Sequence, residues 1–215
     1  MILPVMLLGL APSDDPDVYG YLTPEELARL ERQAARWLLE LEERQRPLAR
    51  PLTAAEKAAL AGHFTAELLD RARLREVDGI DNPEFYAEFF SGRGKPLPID
   101  FRQASGLALV DTILVVSRRV PPRSAGWLPL LFHELVHLAQ VEAQGRDEHV
   151  AHYVRGWAAS GFEYRSIPQE AQAYELAARF RAAPAGPFSV EAEVAERFGT
   201  KSGEAGDETA SGRQP

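Results

Sequence analysis

Read from residue 22 onward, the hydrophobic and polar positions alternate between two periods. Leu27, Leu30, Ala34, Leu38 and Leu41 recur at helical spacing behind Thr23-Pro24-Glu25-Glu26, a capping box with proline at the first helical position. The spacing predicts a helix running up to Pro47. Thr53-Ala54-Ala55-Glu56 repeats the capping logic, and Leu60, Phe64 and Leu68 carry an apolar face towards about Arg73. These two helices read as an antiparallel scaffold pair. His63, beside the second apolar face and without a ligand-spaced partner, reads as structural or solvated.

From about residue 74 to 118 the period shortens. Leu74-Arg75-Glu76-Val77 alternates weakly, while Leu107–Val110 and Ile113–Val116 are short and rich in β-branched residues. They predict one or two strands of a small sheet, with a hairpin as the simplest joining. Trp127 to Gln144 is then apolar on nearly every side and stops at Gly145, the pattern of a helix buried in the middle of a protein. Asp147 is placed to cap a helix reaching about Ala159. Ser166-Ile167-Pro168-Gln169 reads as a capping box for a helix from Pro168 to about Arg181, and Ser189 as the cap of a short one ending at Phe198. The expectation is an α+β, helix-dominated fold. It divides into an N-terminal arm over 1–22, one domain over 23–198, and a tail over 199–215 too poor in large apolar residues to fold.

Composition narrows the chemistry. The 215 residues are 45 % apolar and 26 % charged with a net charge of -8, so broad attraction to nucleic acid or anionic membrane is not expected. The opening MILPVMLLGLAP lacks a basic lead, contains Pro4 and is too short to span a bilayer. It reads as an edge strand or docked arm, and the expected compartment is the cytoplasm, with secretion as the alternative. There is no cysteine, which removes disulfides, thiolate metal sites and cysteine nucleophiles together. Any metal must be held by histidine and carboxylate.

His133-Glu134-Leu135-Val136-His137 supplies such a set. On a helix, residues four apart lie one above the other, so His133 and His137 can reach a single ion. Glu134 projects to the side, where its carboxylate can take a proton from a water that Zn²⁺ has acidified. Chance placement of this pattern in such a composition is roughly one in a hundred. Its position inside a buried helix, where imidazoles and a carboxylate are costly to desolvate, adds weight. Two core histidines with satisfied hydrogen bonds are the alternative.

A catalytic zinc wants a third protein ligand. The downstream carboxylates are Glu142, Asp147, Glu148, Glu163, Glu170 and Glu175. Glu142 lies five residues past His137 and points elsewhere. Glu170 sits in the first turn of the next substantial helix, and Glu175 lies about 140° around that helix, so the two cannot share a metal. Glu170 is preferred as ligand, Glu175 reads as solvated, and Tyr174, on Glu170's face, joins Glu134 as a catalytic candidate. His149, His152, Tyr153, Arg155 and Tyr164 fall between the two motifs. Any of their phenols or imidazoles could steady an oxyanion, though each singly reads as a surface or packing residue.

HELVHLAQ followed by Ile167-Pro168-Gln169-Glu170-Ala171-Gln172-Ala173-Tyr174, with Glu170 lying 33 residues after His137, resembles the gluzincin zinc metallopeptidases, especially small bacterial single-domain ones. The resemblance covers about residues 107–182. It implies a zincin-like fold, His133, His137 and Glu170 as zinc ligands, and Glu134 as general base. It also implies a strand near Leu107–Val116 as the edge on which an extended peptide substrate lies. The chain departs from thermolysin-like members in holding Tyr174 where they carry an acidic residue. The segment between its two motifs is long and holds an extra helix. The function expected is amide-bond hydrolysis of a peptide or protein. A non-catalytic zinc protein, or a zinc hydrolase of another substrate, stands as the alternative.

Overall fold

The computed structural model describes residues 22–90, 99–160 and 163–199. The expected N-terminal arm and tail therefore lie outside the described residues, apart from Leu22 and Gly199 at their borders. Eight helices are present among the described residues: α1 (Pro24–Gln45), α2 (Ala54–Leu60), α3 (Ala66–Arg71), α4 (Tyr86–Phe90), α5 (Trp127–Gln144), α6 (Arg146–Ala159), α7 (Pro168–Ala182) and α8 (Val190–Phe198). A four-stranded mixed sheet joins them, made of β1 (Arg50–Pro51), β2 (Arg73–Val77), β3 (Gly106–Ala108) and β4 (Thr112–Val116). The fold class is thus helix-dominated α+β, as the patterning implies.

The sheet order is β1-β2-β4-β3, with β2 and β4 parallel and the two outer pairs antiparallel. The β3–β4 hairpin leaves β3 at the edge of the sheet, with no outer partner strand among the described residues. Each residue of β4 is buried, as a strand covered on both faces must be.

Helix α5 is the axle. It packs on α7, α8 and α6, on α2, and on β3 and β4 of the sheet. Leu131, Phe132, Leu135, Val136, Leu138 and Ala139 are all buried along it, so its near-continuous apolarity answers neighbours on several sides. A second cluster joins Leu30 of α1 to Tyr86, Phe89 and Phe90 of α4 and to Val150, Val154 and Trp157 of α6.

Four local expectations are corrected. The second helix is two, because Ala61 turns extended and Gly62 takes a φ of +89°, a conformation glycine tolerates. Thr65 then accepts from Leu68 N–H and starts α3 afresh. The break drives His63 inward, where Nε2 meets Pro184 O at 3.0 Å and the edges of Phe132, Phe180 and Phe188 surround the ring. His63 is structural. Next, α1 lies chiefly on α6 and α2 on α5, so the first two helices are not a mutual pair. Third, α6 follows α5 across the single residue Gly145 (φ +79°), while Asp147 binds Arg146 instead of capping. Last, Ser166 does not cap α7. It ends a 3₁₀ turn (Tyr164–Ser166), and its hydroxyl is taken by the Glu163 carboxylate. Ser189, in contrast, caps α8 through Ala192 N–H.

Candidate metal centre

His133 and His137 stand one turn apart in the middle of α5, and Glu170 reaches them from the first turn of α7, the helix most closely packed against α5. All three side chains are buried, and one donor atom from each lies within 4.8 Å of the others. The two Nε2 atoms are 3.2 Å apart, Glu170 Oε2 is 3.3 Å from His133 Nε2, and Glu170 Oε1 is 3.4 Å from His137 Nε2. A tetrahedron with ligand bonds of about 2.0–2.1 Å has edges of about 3.3–3.4 Å, so these separations suit a small divalent cation. Glu170 Oε2 is buried with no hydrogen-bond partner, an orphan that burial penalises unless something else satisfies it. The residues present fit a metal ion.

Hydrogen bonds around the triad fix how each group points. His137 Nδ1 contacts Gln140 Oε1 at 2.9 Å, and Gln140 Nε2 donates to Gln169 O at 3.0 Å and to Gln172 Oε1 at 2.9 Å. Because the amide nitrogen is committed to two acceptors, the Gln140 oxygen faces the ring and Nδ1 must donate. In the neutral imidazole Nε2 is then the lone pair turned to the site. Gln172 is held in turn by donating to Glu193 O of α8 at 3.0 Å. On the Glu170 side, Tyr153 of α6 donates its phenol proton to Oε1 at 2.9 Å. Neither Gln140 nor Tyr153 stands out in the sequence as part of this arrangement. The only local signal is that Gln140 follows His137 by three residues on the same helical face.

Charge follows the same geometry. Burial opposes ionisation of Glu170, but the His137 charge and the close approach of both imidazoles outweigh it, holding the carboxyl well below its usual range. For His137, burial disfavours the charged ring, yet Glu170 and Glu134 raise it to about 9. Glu134 is pushed up by burial, partly offset by the imidazoles and by the Ala108 backbone N–H that its carboxylate accepts.

Glu134 reaches the edge strand β3. A Cβ built on Gly106 would lie 2.4 Å from Glu134 Oε1, so only glycine leaves room for the carboxylate there. Tyr174 lies half-buried against His133, ring centroids 4.6 Å apart, with the Arg165 guanidinium over its ring at 4.9 Å. Burial, then the Glu170 charge, raises its phenol to about 12, against the pull of Arg165, so it remains a donor. Glu175 is exposed and pairs with Arg197 at 3.6 Å.

The segment between the motifs splits. Tyr164 stands 6.5 Å from the Tyr174 ring. His149 is buried beside the site with its pKa driven to about 3 by burial and the His137 charge, and its Nδ1 accepts from Gln144. His152 binds Gln144 and Glu148, while Arg155 forms a two-pronged pair with Glu31, which leaves both as bridges to neighbouring helices.

The chain matches no known protein family, no curated protein and no solved structure. No helix among the described residues is long and apolar enough to cross a membrane.

Proposed function

We propose that this chain is a zinc-dependent metallopeptidase of the gluzincin type, with a zincin-like fold, acting on peptide or protein substrates. One observation carries the reading. The Glu134 carboxylate stands beside the buried His133–His137–Glu170 group and against β3, filling the space over Gly106 and accepting from Ala108 N–H of a strand that has no outer partner among the described residues. A core polar cluster has no need of a carboxylate turned towards an edge strand. A hydrolase of extended chains does.

His133, His137 and Glu170 would hold the ion. Bound zinc supplies Lewis acidity that lowers the pKa of a water towards 7. Glu134 takes the proton of the attacking water and passes it to the departing amine, as a carboxylate beside the site can. Tyr174, packed against His133 and Arg165, keeps its phenol proton and can donate to the oxyanion forming on the substrate carbonyl. The substrate backbone is steadied by β3. Leu109 N–H bonds to Thr112 O and Val116 N–H to Ser105 O, so odd-numbered residues face β4, and the Gly106 backbone groups and the Ala108 carbonyl face outward while Ala108 N–H is taken by Glu134.

Glu134→Gln tests this. The variant should bind about one zinc per chain like the wild type, while cleavage of an unfolded protein such as denatured casein falls by about 10²–10⁴-fold. Zinc bound with no cleavage by wild type across peptides and unfolded proteins would favour a non-catalytic zinc protein or a different substrate. Equal cleavage by the two would place the activity elsewhere.

A further inference from the structure

We infer that Tyr153 is a positioning residue for the metal centre, donating to Glu170 Oε1, which also lies 3.4 Å from His137 Nε2, so that Oε2 is the oxygen left for the ion. The inference rests on the metal-binding part of the reading above and extends it to the helix between the two motifs. Glu170 has two oxygens with different surroundings. Oε1 accepts the Tyr153 phenol at 2.9 Å, while Oε2, buried and without a hydrogen-bond partner, stands 3.3 Å from His133 Nε2.

A carboxylate left free to rotate can bind a divalent cation through both oxygens. That would crowd the position a catalytic site must keep open for water and substrate. A donor fixed on one oxygen removes the choice. Tyr153 can serve because its hydroxyl meets Oε1 at 2.9 Å from a helix that packs beside Glu170. Its backbone is anchored by α6, which packs on α1 and α7 and buries Val150, Val154 and Trp157 among Leu30, Phe89 and Phe90. The Tyr164 hydroxyl lies beside it. On this account α6 supplies the outer support of the third ligand, as Gln140 supplies that of the second.

The test compares Tyr153→Phe with Tyr164→Phe. Each loses one phenol hydroxyl near the site, and only the first removes a bond to a ligand. Zinc affinity of the full chain should fall about 10–100-fold in Tyr153→Phe, and clearly less in Tyr164→Phe, while the metal-free melting temperatures stay similar. With cobalt(II) in place of zinc, the visible absorption of Tyr153→Phe should weaken and shift as the carboxylate turns to bind through both oxygens. An unchanged affinity and cobalt spectrum in Tyr153→Phe would overturn the inference while leaving the metal site standing. So would equal losses in both variants, since they would report general loosening. Failure of the wild type to bind either metal would instead remove the metal-site reading, and this inference with it.

Discussion

Gly106→Ala adds a single methyl group where the site is tightest. The new Cβ would sit 2.4 Å from Glu134 Oε1, 2.8 Å from Cδ and 3.1 Å from Cγ. Ordinary contacts begin near 3.4 Å, so the carboxyl group must retreat by about 1 Å, since Gly106 is fixed by pairing with Val115 of β4. Gly106 does not occupy the left-handed backbone region, so alanine there meets the side chain without backbone strain. A displacement of about 1 Å in a reacting group costs about 10²-fold in rate, near 2.7 kcal/mol of barrier. The assay is cleavage of denatured casein by zinc-loaded protein, with zinc content measured in parallel. Zinc should remain at wild-type occupancy, because His133, His137 and Glu170 are untouched. Cleavage within about threefold of wild type would refute the argument that the Glu134 position against β3 matters to the chemistry.

Three further outcomes follow from the same contacts. Glu170→Ala should abolish tight zinc binding while Glu175→Ala leaves it unchanged, as read by metal content after dialysis; the reverse would mean the α7 carboxylates are wrongly assigned. In metal-free protein, His137 is raised from 6.5 to about 9, so its stabilising charge is fully present below pH 6.5 and lost as pH rises through 9. Glu170, depressed below 4.5, contributes above that value and loses its share on acidification. Chelated protein should therefore melt higher at about pH 6 than at about pH 9.5, with the difference shrinking when zinc is added, and a flat profile would count against the pair. Glu56→Ala should lower stability by about 1–3 kcal/mol in urea unfolding, since the buried Trp127 Nε1–H loses its 3.0 Å acceptor. Thr53 loses its capping partner in the same variant. An unchanged midpoint would show that water replaces the carboxylate.

What the sequence revealed was local in origin. The bounds of α5 follow from an unbroken apolar run closed by Gly145, and helical rotation alone shows that Glu170 and Glu175 cannot share a metal. In the structure Glu170 faces the histidines and Glu175 faces Arg197. What stayed hidden depends on contacts between distant segments. The split between α2 and α3 needs His63 to find Pro184 and the phenylalanines of α5 and α7, and an apolar period of four cannot report that. β1 is two residues long and exists only by pairing with β2, while α4 is one short turn stabilised by α1 and α6. Tyr153 reads as an ordinary packing residue until α6 is laid beside α7.

Two imidazoles and two carboxylates in a core need a physical reason, since each costs several kcal/mol to bury unpartnered. Here the protein answers part of each demand and leaves the rest. Gln140 takes the Nδ1 of His137, Tyr153 takes Oε1 of Glu170, and the Ala108 N–H takes one face of Glu134. The atoms left over are Nε2 of His137 and Oε2 of Glu170, which stand 3.2 Å and 3.3 Å from Nε2 of His133, separations that suit ligands of one cation. That asymmetry, one atom of His137 and of Glu170 satisfied by the protein and its counterpart turned to the shared centre, is what makes the group a candidate cation site.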